Sequence, residues 1–186
     1  MAPYVCSTES GGVRLFRYDP EPPSGETAWT ELPIGPNMRP FGVATCGGSL
    51  HVLGEDVLTG CPVHAVYTPS VEGTPVYPPS GWQIRESSLQ RPCQGRSGYI
   101  SSTNVVAVEN SILVVPSDPP NYHFPMSTAQ IYDAVRDHWD TVANPLSNGF
   151  RWTQMAHLGD GYVLAGGKNY GGVAMVFAVD GLERVS

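Results

Sequence analysis

The stretch that decides the fold runs from VVAVENSILVV (105–115) through AQIYDAVRDHW (129–139) to GDGYVLAGG (159–167). Its centre is Tyr132 and Trp139, with six residues between them. The flanking apolar runs are strand length, too short to span a bilayer. Alternation along such strands buries one side chain in two against a neighbouring sheet. The same order of features recurs upstream. Trp29, Trp82 and Trp139 occupy one point of the pattern, 53 and 57 residues apart. A repeat of this period is one small supersecondary unit that cannot bury both faces alone, so successive units must stack.

Each unit reads as four strands. The first follows an arginine: FGVATC (41–46), NVVAV (104–108) and WTQMAHL (152–158). The second ends in glycine or a turn: SLHVLGE (49–55), SILVVPSD (111–118) and GYVLAGGK (161–168). The third carries tyrosine or its equivalent: HAVYTP (64–69), AQIYDA (129–134) and AMVFAVDG (174–181). The fourth is the tryptophan strand. Ahead of these, PYVCST (3–8), RLFRYDP (14–20) and AWTEL (28–32) read as second, third and fourth strands of an opening unit. The units span 1–32, 39–84, 96–142 and 151–186. Tyr18, Trp29, Gly54, Tyr67, Trp82, Tyr132, Trp139, Gly166 and Gly167 are the repeat positions. The aromatics supply large buried area between adjacent sheets. The Gly166–Gly167 pair is expected to allow positive φ and a close backbone approach.

Composition agrees with an all-β domain. In 186 residues there are 21 glycines and 18 prolines, and 41% of the chain is apolar. That suits many short strands joined by turns. The formal net charge is −7 with only 10 Lys and Arg, which lacks the basic footprint of a nucleic-acid binder and disfavours acidic membrane surfaces. The N-terminus MAPYVCSTESGG has neither a basic region nor an apolar stretch of signal-peptide length, so a soluble cytoplasmic protein is expected. Cys6, Cys46, Cys61 and Cys93 form no CxxC pair and are expected to be buried free thiols, Cys46 within an apolar strand, and a Cys46–Cys61 disulfide stays open.

These residues resemble the kelch-repeat family over nearly the whole chain. The third unit matches best, through Arg151, DGYVLAGG (160–167) and the Tyr132–Trp139 spacing. The first matches through RYDP (17–20), Trp29, Arg39 and GVATCGGSLHVLG (42–54). The middle unit departs from the pattern: Pro116–Ser117 replaces the glycine pair, and Tyr67 precedes Trp82 by 15 residues. The resemblance implies a β-propeller of four-stranded antiparallel blades. Fourteen strands make about 3.5 blades, and an open end exposes strand edges and an apolar face. Three readings follow: part of a six- or seven-bladed protein, a chain completed by a second copy, or a closed four-bladed form with degenerate strands.

No HxH, HExxH or Cys/His cluster has metal-ligand spacing, and no Gly-x-Ser-x-Gly elbow or phosphate loop is present, so neither a cofactor nor a metal is expected. His51 and His157, within apolar strands, are read as satisfied structural histidines, and His138 as an exposed one. Some oxidases resembling galactose oxidase hold copper on a kelch-like propeller. Cys93, Tyr99, Tyr122 and His123 are the residue types that chemistry needs, but no motif orders them.

In kelch proteins resembling this chain, residues at the start of the innermost strand approach the central opening, where acidic peptides dock. Arg39, Arg96 and Arg151 hold that position, and arginine suits bidentate recognition of carboxylates. The alternative is that each bonds loop carbonyls or a neighbouring acid. Tyr122 and His123, in the Pro-flanked loop SDPPNYHFP (117–125), form an interface anchor, or else Tyr122 and Phe124 pack back on the blade. The leading expectation is a non-enzymatic module binding a protein or peptide, acidic if the arginines read it, through loops 33–40, 68–81, 90–100 and 117–125. A propeller enzyme or carbohydrate-binding protein is the alternative. A structural subunit that completes a ring by self-association as a homodimer is the third.

Overall fold

The computed structural model describes residues 4–9, 12–69, 81–85, 89, 103–116, 128–146, 151–168 and 173–185. These form fourteen strands and one short 3₁₀ turn, Val179–Gly181. The strands fall where alternation and turn residues place them. The first sheet holds β1 (Tyr4–Glu9), β2 (Gly12–Tyr18) and β3 (Trp29–Glu31). The second holds β4 (Met38–Cys46), β5 (Ser49–Asp56), β6 (Pro62–Tyr67) and β7 (Trp82–Arg85). The third holds β8 (Thr103–Val108), β9 (Ser111–Pro116), β10 (Thr128–Asp133) and β11 (His138–Ala143). The fourth holds β12 (Arg151–Gly159), β13 (Tyr162–Lys168) and β14 (Val173–Ala178). Every neighbouring pair within these sheets is antiparallel. The protein is all-β, and its four-stranded sheets have the make-up of propeller blades.

Three apolar clusters lie between sheets that follow one another in the chain. Val13 and Leu15 of the first sheet meet Leu50, Val52, Ala65, Tyr67 and Trp82 of the second. Ala44, Cys46 and Leu53 on the other face of the second meet Ile112, Val114, Tyr132 and Trp139 of the third. Leu113, Val115 and Ala129 on the other face of the third meet Val163 and Ala165 of the fourth. The split follows from strand geometry: Leu50 and Val52 point one way along β5, and His51 and Leu53 the other. Each internal sheet is therefore buried on both faces, which no single sheet of this size could achieve alone.

The repeat is visible in the register. Tyr18 opposes Trp29, Tyr67 opposes Trp82, and Tyr132 opposes Trp139. Their ring centroids are 4.9, 5.4 and 5.2 Å apart, and all three pairs are tilted. Trp82 is seated on the preceding sheet's connection, where its indole N–H donates to the Pro33 carbonyl at 2.7 Å.

First strands of successive sheets run side by side, β8 touching both β4 and β12. Gly42 of β4 makes that approach possible, because a Cβ there would collide with the Val105 side chain. Gly54 serves a different need from the turn-like role suggested by its place in the repeat. It lies under the bulge between Pro40 and Gly42, and a Cβ would strike the Arg39 carbonyl. Gly166 and Gly167 correct the expectation of positive φ: both lie in extended β13 with ordinary φ, and a Cβ on Gly166 would meet nothing within 4 Å.

Beyond β14 the chain turns back onto the third sheet. The Ala143 N–H donates to the Glu183 carbonyl at 2.7 Å, and the Val185 N–H to the Thr141 carbonyl at 2.9 Å. Arg184 adds an ion pair to Asp140 at 2.7 Å. These bonds cover the β11 edge, whose backbone groups would otherwise present a template for another strand. Among the described residues no helix is long and apolar enough to cross a membrane.

Candidate functional site

Two groups of polar residues stand out: the arginines at the start of the first strands, and a buried aromatic–histidine seam between the second and third sheets. Arg39 is the second residue of β4 and is exposed. Arg151 is the first residue of β12. Both precede a register shift, between Pro40 and Gly42 in β4 and between Arg151 and Gln154 in β12. The two strands thus begin with the same device, a basic residue followed by a bulge that re-aims the strand end. The partners across the ladder differ: Arg39 opposes Glu55, and Arg151 opposes Lys168. Arg96, Tyr122 and His123 lie outside the described residues, as do Cys93 and Tyr99 of the copper reading and most of loops 68–81, 90–100 and 117–125.

The seam is built by β5 and β6 on one side and β10 and β11 on the other. His51 and His64 point from the second sheet toward the third, 4% and 0% exposed. The His51 ring meets two partners, His64 Nε2 at 2.9 Å and the Cys46 carbonyl at 3.2 Å. The carbonyl can only accept, so in neutral His51 the proton sits on Nε2 and Nδ1 is the acceptor. His64 must then donate through Nε2–H, which leaves its Nδ1 an unprotonated, buried acceptor without a partner. Tyr132 closes on His64 edge-on at 4.6 Å, and Trp139 does so at 5.5 Å. The Trp139 indole nitrogen, a donor, is likewise buried and unpartnered.

Asp137 joins the seam at its rim. The Tyr132 hydroxyl donates to Asp137 Oδ1 at 2.6 Å, and Arg85 donates to Asp137 Oδ2 at 3.1 Å. One carboxylate thereby ties β7 of the second sheet to the hairpin of the third. Asp137 sits at φ 51, a backbone conformation that aspartate tolerates better than most residues.

These surroundings set the protonation states. Burial pushes the His64 imidazole down to about 3, and the neighbouring His51 adds to the shift. Burial also lowers His51, opposed by its bond to the Cys46 carbonyl. Burial and the hydrogen bond to Asp137 raise the Tyr132 phenol. Burial raises the Cys46 thiol, with the Asp133 charge adding to it. At neutral pH the seam is a set of uncharged rings. His64 is fully buried and the Cys46 thiol is held protonated. What the seam does is fasten two sheets together.

Cys46 is the buried free thiol expected, whereas Cys61 is free but exposed, which corrects the expectation of burial for it, and no bond joins the two. His51 is the satisfied core histidine the sequence suggests, and His138 is exposed. His157 departs from expectation: it lies in β12 opposite buried Val163 but is exposed. No motif in the sequence singles out His64, Arg85 or Asp137. The signal was present in one form, since His64 lies three residues before Tyr67 in a strand where alternation sends it to the opposite face. Among the described residues no group of three or more His, Cys, Asp or Glu could hold a metal ion. The chain matches no protein-family model, and no curated protein is significantly similar to it.

Proposed function

We propose that the chain is a divergent kelch-type propeller, in whole or in part, that acts as a non-enzymatic module recognising a protein or peptide. The observation that carries this is the threefold recurrence of the Tyr–Trp pair in one register, at 4.9, 5.4 and 5.2 Å, in sheets that stack in chain order. Rigid stacked sheets present their connecting loops and strand ends as a fixed surface, which favours binding without rearrangement. On this reading Arg39 and Arg151, with Arg96, read acidic side chains of the partner through charge-assisted hydrogen bonds.

The test is binding of fluorescent Asp- and Glu-rich peptides, measured by anisotropy, to wild type and to Arg39→Ala and Arg151→Ala. Each substitution is expected to weaken binding about tenfold or more, the worth of one charge-assisted bond. The melting temperature should stay nearly unchanged. A large fall in melting temperature assigns the arginines to structure, and equal binding by all three proteins removes the arginines from recognition.

A further inference from the structure

All three seams between sheets obey one rule. The face carrying the Tyr–Trp pair, or its equivalent, covers the opposite face of the preceding sheet. Tyr67 and Trp82 do so on the first sheet, and Tyr132 and Trp139 on the second. Phe177, which opposes Val163 as Tyr132 opposes Ile112, does so on the third.

Among the described residues one face of each kind is left uncovered. On the first sheet it is the pair Tyr18–Trp29, with Trp29 44% exposed where Trp82 and Trp139 are 7% and 5%. On the fourth sheet it is the face away from Val163 and Ala165, where Tyr162 and Val176 are 47% and 55% exposed. Contiguous apolar exposure of this kind marks an interaction surface. Residues 179–185 do not cover it, because Glu183, Arg184 and Val185 turn back to the β11 edge.

The fourth sheet's face has room for the aromatic pair. Counting along the ladders from Tyr67–Leu50 and Phe177–Val163, the pair Leu53–His64 corresponds to Gly166–Ala174. His64 is the ring on which Tyr132 and Trp139 rest. Its counterpart is an exposed alanine, beside a glycine whose added Cβ would meet nothing within 4 Å.

We propose that this face binds the Tyr18–Trp29 face of a second copy of the chain, so that two copies associate head to tail. The two uncovered faces are the two kinds that the chain joins three times within itself, which is why a second copy fits. Each copy then offers its fourth sheet to the first sheet of the other, and eight sheets close a ring. Head-to-tail interfaces make closed rings when the rotation closes and filaments when it does not. The proposal stands on the stacked sheets and is independent of peptide binding by the arginines.

The experiment is light scattering on the size-fractionated full chain across a range of concentrations. Wild type should give twice the chain mass of 20.0 kDa. Trp29→Glu and Val176→Arg, each at an exposed position and each checked for unchanged circular dichroism, should separately give single-chain mass. Mixing them in equal amounts should restore the double mass, because the mixed pair has one unaltered seam and one in which Glu faces Arg. Wild type that stays at single-chain mass overturns the proposal. So does a dimer that both substitutions leave intact, a mixture that fails to reassociate, or a mass that grows without limit.

Discussion

Acid should weaken this protein well before its carboxylates titrate. The perturbation is a shift from pH 7 to pH 5, and the reporter is His64, 0% exposed in the seam with its imidazole pushed down to about 3. In the unfolded chain a histidine takes its proton near pH 6.5. The folded state takes none until about 3, so between these values the unfolded state binds more protons and stability falls with pH. The loss is about 1.4 kcal/mol per pH unit per proton, and integrated from pH 7 to pH 5 it is about 2 kcal/mol for His64. His51 is lowered too and adds in the same direction. The Glu31 carboxyl, lowered by its hydrogen bond from Arg14, and the Asp56 carboxyl, lowered by bonds from Thr59, lose their contribution only below this window. Urea unfolding followed by tryptophan fluorescence measures the effect. Wild type should lose at least about 2 kcal/mol between pH 7 and pH 5, and His64→Leu should lose about 2 kcal/mol less than wild type over the same interval. Parallel pH dependences for the two proteins, or a wild type equally stable at both pH values, would refute the buried neutral seam.

Three further outcomes follow from the packing. Trp82→Ala should cost about 3–5 kcal/mol, while Trp29→Ala should cost clearly less, since Trp29 is 44% exposed; chemical denaturation of each variant checks the contrast. Gly54→Ala should destabilise by more than the few tenths usual for a surface change, because its Cβ meets the Arg39 carbonyl and Met38 Cε, at 2.7 Å for the latter; Gly166→Ala, with open space around it, should be near neutral in the same assay. Tyr132→Phe removes a 2.6 Å bond to Asp137 and should cost about 1–3 kcal/mol, read from the urea midpoint.

The strands were legible because each carries a local signal, a short apolar run or alternation bounded by turn residues. The short continuous apolar runs VVAV and SILVV, with turn residues between, mark β8 and β9 without reference to the rest of the chain. The Tyr–Trp register was legible because a large aromatic at a fixed station has one natural use, sealing one sheet to the next. The seam histidines were not, because nothing local distinguishes His64, fully buried, from exposed His157, in an equally apolar strand. Their difference is made by what packs on them: the rings of Tyr132 and Trp139 cover His64, whereas His157 stays exposed although it opposes buried Val163. Asp137 was hidden for a related reason. It reads as a turn residue, and its bonds to Tyr132 and Arg85 appear only when the 52-residue separation from Arg85 is closed by stacking. The return of Glu183–Val185 to β11 leaves no mark in the sequence because three residues carry no period.

The stacking of each Tyr–Trp face on the sheet before it is tested most directly by proton–proton contacts at Trp82 in solution. Nuclear Overhauser spectra should show its indole ring close to the Gly35 α-protons, since a Cβ on Gly35 would lie 2.7 Å from that ring. They should also show its N–H, bonded to the Pro33 carbonyl at 2.7 Å, exchanging slowly with solvent. An indole with no contacts to residues 33–35 and a rapidly exchanging N–H would contradict the account.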